Sequence, residues 1–195
     1  MFAVQLSIFA IAWISGLYLL NSLIAGEVKQ IKFKPMLLYV TTLAMLGVYA
    51  EVICDTIYNF IFGKPLWVYT VLPVHHAFTS KFAIVLWGAY GFYLYMMHDN
   101  ILKRHSNAAK YLPYIFCLEA IVIEAMVNVT FRIFFGHYIF YYLPGDLGHI
   151  TSLQVLPIYL IGGFVISAML LKGKTKPLFF SSIGVILVCI LVFLN

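Results

Sequence analysis

Glu51, Asp55, Glu119 and Glu124 are carboxylates set in stretches of sequence that are otherwise almost wholly apolar. Glu51, Asp55 and Asn59 are spaced four apart, as are Glu124, Asn128 and Arg132, so each trio lies on one face of a helix, one turn above the next. Twelve residues separate each Glu from the glycine that follows it, Gly63 or Gly136; at the helical rise this is roughly 18 Å and puts both acids near the middle of a membrane. A charge there costs at least about 2.5 kcal/mol even on the lenient insertion scale, so such residues face a protein interior and are functional by default. A carboxyl group in a water-free interior is a candidate proton donor, and a second one beside it a candidate acceptor. On this reading Glu51 donates, Glu124 or Asp55 accepts, and Asn128 orients the reacting group. Arg132 holds charge, against Asp55, Glu51 or an anionic head group. Glu119 points off the shared face. Polar residues of this kind can also serve only to tie helices together, at about 1 kcal/mol per hydrogen bond.

The two trios belong to a longer match at a constant offset of 73. Glu51 pairs with Glu124, Asp55 with Asn128, Asn59 with Arg132, Phe62-Gly63 with Phe135-Gly136, Trp67 with Phe140, Tyr69 with Tyr142, His76 with His149 and Thr79 with Ser152. Internal repeats of this sort precede any local reading. The unit covers about 36–97 and 110–171, and a step of two spans makes the copies parallel, related about an axis along the membrane normal. Asn59, Arg132, Trp67, Tyr69, Phe140, Tyr142, His76 and His149 are accordingly candidates for holding a substrate. The aromatics either form an interfacial belt or wall the acidic cavity. His76 and His149 can titrate, ligate a metal or haem, or sit in wet head groups. Glu51, Asp55, Glu124 and the two histidines would make a hard-ion set, but the Glu-x-x-His pairs of di-iron bundles are missing, so no cofactor is expected. Ser80-Lys81 is no catalytic pair, because adjacent helical residues do not face one another. His98, His105 and His137 sit at span ends and carry no signal, and Met96-Met97-His98 is too short for a copper site.

The elements that must position these residues are membrane helices. The chain of 195 residues is 64% hydrophobic and 10% charged, where soluble domains average about a quarter charged residues. Apolar runs of roughly 20 residues match the hydrocarbon thickness, and the alternation of a membrane β-barrel is absent. The expected fold is therefore an all-α integral membrane protein, one domain over 1–195, with six spans at about 3–25, 36–62, 76–97, 111–135, 151–171 and 178–194. The first span reads as retained rather than cleaved. Nine of the twelve basic residues fall in three short segments: Lys29, Lys32 and Lys34; Lys103, Arg104 and Lys110; Lys172, Lys174 and Lys176. The positive-inside rule makes these loops cytoplasmic and puts both termini on the other side. The net charge of +5 is thus topological, and nucleic acid is not an expected partner. The partners expected are the lipid bilayer and a hydrophobic small molecule. Cys54, Cys117 and Cys189 lie inside spans and imply no disulfide framework.

From Tyr49 to Tyr69 an acid, Glu51, is followed by Ile57-Tyr58 and a Trp67-containing exit loop. This stretch resembles the small integral-membrane terpene cyclases of fungal meroterpenoid pathways. The resemblance implies a membrane carboxylate, by position Glu51, that protonates an epoxide or alkene to start cyclisation. Those cyclases are larger and use a late acid, which the sixth span here lacks. The functional expectation is a membrane-embedded enzyme that cyclises or isomerises an isoprenoid or other lipid-like substrate by acid–base chemistry. Its rivals are a small proton- or cation-coupled transporter with the paired acids as the ion site, and a noncatalytic membrane assembly or immunity factor.

Overall fold

A computed structural model describes residues 2–28, 30–104 and 110–193. Lys29 and His105, named above, and residue 194 at the end of the sixth expected span lie outside the described residues. The described chain is mostly helical: α1 (Phe2–Ala25), α2 (Phe33–Phe62), α3 (Ala83–Arg104), α4 (Leu112–Phe135), α5 (Leu156–Gly173) and α6 (Pro177–Phe193). Among the described residues four helical stretches, Phe2–Ala25, Phe33–Phe62, Leu112–Phe135 and Leu153–Gly173, are long and apolar enough to cross a membrane. The helix α6 is apolar but shorter.

The two long connectors are not loops alone, and the all-α expectation needs that amendment. Strand β1 (Trp67–Tyr69) follows α2, and strand β4 (Phe140–Tyr142) follows α4. They pair antiparallel with one another, Trp67 opposite Tyr142, Val68 opposite Tyr141 and Tyr69 opposite Phe140. Side chains alternate across a strand, so Trp67, Tyr69, Phe140 and Tyr142 point inward and are buried, while Val68 and Tyr141 are only half-buried. Between β1 and α3 a second hairpin, β2 (Pro73–Val74) with β3 (Thr79–Ser80), turns through His75, His76 and Ala77.

Glycine ends both long helices that lead into the connectors. Gly63 and Gly136 adopt φ of 69° and 78°, and their N–H groups close on the carbonyls of Asn59 and Arg132 at 2.9 and 2.8 Å. That is the left-handed stop in which glycine carries no Cβ penalty.

Two helices start later than expected. The third begins at Ala83 rather than His76, and the fifth at Leu156, after a 3₁₀ turn (Leu153–Val155), rather than at Thr151. Hydroxyl groups explain both delays. Ser80 Oγ accepts the N–H of Phe82 at 2.9 Å, and Ser152 Oγ accepts that of Gln154 at 3.1 Å, so each serine closes a turn on free N–H groups where a helix would otherwise run on.

Helix α2 is the hub of the bundle, packed against α3, α5 and α6. One buried cluster, around Val48, Leu66, Phe131 and Ile139, lies under the connectors. A second, around Leu38, Leu43, Leu94 and Met96, fills the opposite half.

Candidate functional site

The stripe on α2 climbs the helix, so its members reach different surroundings. Glu51 is buried and faces a cavity; Asp55 lies one turn nearer the connector and Asn59 one turn further, exposed. Helix α4 repeats the arrangement, with Glu124 on the same cavity, Asn128 buried beneath the connector and Arg132 exposed.

Each glutamate is held by three donors. Oε1 of Glu51 accepts the Tyr69 hydroxyl at 2.5 Å and the Trp87 indole N–H at 2.8 Å, and Oε2 accepts the Thr79 hydroxyl. Oε1 of Glu124 accepts the Tyr142 hydroxyl, and Oε2 accepts those of Tyr159 at 2.8 Å and Thr151 at 3.0 Å. In both cases the tyrosine comes from the paired strands, the threonine from the segment before the next helix, and the third donor from that helix. Burial, and next the Glu51 carboxylate, push the Tyr69 hydroxyl well above the ordinary tyrosine range. Burial followed by Glu124 does the same to Tyr142. Both therefore stay protonated as donors at neutral pH.

Asp55 and Asn128 do not line the cavity. They fasten the connectors that close it. Asp55 Oδ1 accepts the N–H of Leu66 at 2.5 Å. Asn128 Oδ1 accepts that of Ile139 at 2.9 Å, while its amide donates to the carbonyls of Phe140 at 2.9 Å and Ile150 at 3.1 Å. A connector folded back onto a bundle has backbone groups that water cannot reach, and each needs a partner.

Arg132 stands at the rim rather than beside Glu51 or Asp55. It donates to the Tyr138 hydroxyl, with the guanidinium 4.7 Å above that ring. The physical reason is reach: eight residues beyond Glu124, it is about 12 Å further along the helix. His76 is exposed, with Phe78 its ring neighbour at 5.9 Å. His149 is half-buried, its Nδ1 2.5 Å from the carbonyl of Tyr142 and its ring stacked on Tyr141 at 4.2 Å. Neither lines the cavity. Among the described residues no group of three or more His, Cys, Asp or Glu is placed to hold a metal ion.

The partner residues also shift the sequence correspondence. Tyr69 N–H bonds the carbonyl of Ala77, and Tyr142 N–H that of His149. Ala77 with His149, Thr79 with Thr151 and Trp87 with Tyr159 are each 72 apart (149 − 77, 151 − 79, 159 − 87). In these bonds Ala77 and His149, and Thr79 and Thr151, take like roles at a spacing of 72, where the sequence matches His76 with His149 and Thr79 with Ser152 at 73. Ser152 bonds Asp146 instead. Trp87, Thr151 and Tyr159 went unrecognised in the sequence for this reason; a one-residue slip in the offset was their signal.

The cavity has a volume of about 280 Å³ and is bounded by α2, α3, α4, α5 and the paired strands. Its walls are aromatic, with Trp67, Tyr69, Trp87, Tyr90, Phe140 and Tyr159 prominent, and among the described residues no Lys, Arg or His lines it. The carboxylates therefore set its polarity. Ile161 and Val165 of α5 belong both to this wall and to the exposed outer surface, at 66% and 44% exposure, so the cavity reaches the apolar flank of the bundle.

Gly47 makes room for part of the wall. A Cβ there would fall 2.2 to 2.6 Å from the Trp87 ring. The bare backbone one turn before Glu51 thus lets the indole lie across α2 and aim its N–H at the carboxylate.

Comparison with protein-family models, with curated proteins and with solved structures returns no match.

Proposed function

We propose that this chain is a six-span membrane enzyme whose Glu51 and Glu124 perform acid–base chemistry, a cyclisation or isomerisation, on an isoprenoid or other lipid-like substrate. The single observation that carries this reading is the pair of carboxylates, each braced by three donors, facing one aromatic-walled cavity that no Lys, Arg or His lines among the described residues. A substrate alkene or epoxide entering from the flank near Ile161 and Val165 would take a proton from one carboxyl group. The cation so formed lies among aromatic faces, which attract positive charge, in a pocket that keeps water from quenching it. The other carboxylate then removes a proton from a neighbouring carbon. One proton enters and one leaves, so the product is an isomer, and the two acids have exchanged protonation states. The indole N–H of Trp87 can only donate, which keeps Oε1 of Glu51 an acceptor throughout.

The topology belongs to the same proposal. Basic segments on one side put both termini outside the cytoplasm. The two hairpins are read as copies of one parallel unit, supported by the matched donor sets of Glu51 and Glu124 and by the pairing of β1 with β4.

The test is mass spectrometry of lipids from cells expressing the wild type, Glu51→Gln or Glu124→Gln at equal protein levels. The proposal expects a lipid species present with the wild type and lost with either variant. Identical profiles overturn it. A cavity of paired acids and aromatic faces also fits an organic cation as cargo. Proton-coupled uptake into liposomes that both substitutions abolish, with no change in lipid profile, selects a transporter instead.

A further inference from the structure

We propose a second ligand site, independent of the acid pair, at the opposite end of the bundle from the connectors, where the protein binds the protonated primary amine of an amphiphile. A second cavity of about 310 Å³ lies there between the end of α1, the end of α3 and the start of α4. Its polar groups are Asn21, Tyr93, Asn100 and Glu119. Asn100 donates to Asn21 Oδ1 at 2.8 Å, and the Tyr93 hydroxyl reaches Glu119 Oε1 only at 3.4 Å. That leaves two buried acceptor oxygens, Glu119 Oε2 and Asn100 Oδ1, with no partner among the described residues. Among the described residues no Lys, Arg or His lines this cavity.

Buried polar atoms in native proteins almost always have partners, and each exception asks for an explanation. The missing component is a guest rich in donors and positive in charge. A primary ammonium carries three N–H groups on one compact centre and so has donors for both oxygens. Its carrier is amphiphilic because the cavity is flanked by apolar surface: Ile24, which lines it, is 67% exposed on the outer face of α1. Lys32, Lys34 and Lys110 lie at this same end of the helices, where the phosphate of a zwitterionic head group would meet them. The ammonium chemistry is common to an aminophospholipid and to a free lipophilic amine, and the two differ in whether that phosphate is present.

Native mass spectrometry of the purified full chain in detergent distinguishes these. The probes are phosphatidylethanolamine, phosphatidylcholine and phosphatidylglycerol with matched tails, then dodecylamine and dodecanol. Phosphatidylcholine keeps the charge but its trimethylammonium has no N–H to donate. The expected result is phosphatidylethanolamine bound at least tenfold more tightly than the other two lipids, and dodecylamine at least tenfold more tightly than dodecanol. Binding should weaken at least tenfold in Glu119→Gln and in Asn100→Ala, each checked for unchanged thermal unfolding, and persist in Glu51→Gln. Dodecylamine binding without lipid discrimination supports the amine site and assigns it to a free amine. Equal binding of phosphatidylethanolamine and phosphatidylcholine together with equal binding of dodecylamine and dodecanol overturns the proposal. So does amine binding that survives both substitutions, or that disappears in Glu51→Gln and so belongs to the first cavity.

Discussion

Adding one methyl group at Gly47 tests the link between helix packing and the acid site. In Gly47→Ala the new carbon would lie 2.2 Å from the nearest Trp87 ring atom. Carbon atoms settle at about 3.5 Å or more, so the indole must retreat by about 1.3 Å or α2 and α3 must part. Either movement stretches the 2.8 Å bond from Trp87 to Glu51 beyond the range in which it counts as a hydrogen bond. Crowding a packed interior costs about 1–3 kcal/mol, and a lost bond to a charged group about 1.5–3 kcal/mol. A combined loss of about 3 kcal/mol is expected, which for a chain of this length is a fall in Tm of roughly 6–12 °C. The assay is thermal unfolding of the detergent-solubilised protein, followed by loss of its monodisperse elution peak. Trp87→Ala provides the control, because it removes the obstructing ring: in that background Gly47→Ala should cost under about 0.5 kcal/mol, so that the cycle reports the contact. If Gly47→Ala alone leaves Tm within 2 °C of the wild type, about the shift from 1 kcal/mol or less, the indole does not lie across α2 as described.

The remaining predictions probe the connectors and the rim. Gly63→Ala and Gly136→Ala meet no neighbouring atom within 4 Å, so each should cost only the left-handed backbone strain, about 1–2 kcal/mol by thermal unfolding. Asp55→Asn should be nearly neutral, since an amide serves the same connector position at Asn128, whereas Asp55→Ala orphans the Leu66 N–H and should cost about 1–3 kcal/mol on the same measurement. Arg132→Ala, at an exposed position, should change stability by less than about 0.5 kcal/mol and leave the lipid profile of expressing cells as in the wild type. A loss comparable to that of Glu51→Gln would return Arg132 to the site.

Spacing and residue type by themselves determine a good deal here. Apolar runs of membrane length and the scarcity of charge announce helices that can cross a bilayer. Gly63 and Gly136 mark where two of them stop, because few other residues adopt a left-handed φ cheaply. A period of four puts Glu51 and Asp55, or Glu124 and Asn128, on one face of their helix. That period is local physics, readable from one dimension.

Depth along the helix is not local, and there the tertiary structure decided. Glu51 and Glu124 meet a cavity, Asp55 and Asn128 meet the backbone of a returning connector, and Asn59 and Arg132 meet the outside, although all six looked alike as polar residues in one register. The pairing of β1 with β4 was invisible because two three-residue strands have little signal, and each gains a partner only when two distant helix pairs come together. Trp87, Thr151 and Tyr159 escaped notice because the donors to the two glutamates follow a spacing of 72 rather than the constant 73 of the residues before them. A chain can absorb that slip in a turn and still deliver the hydroxyl to the carboxylate, since a hydrogen bond depends on where atoms arrive in space and not on their number along the chain.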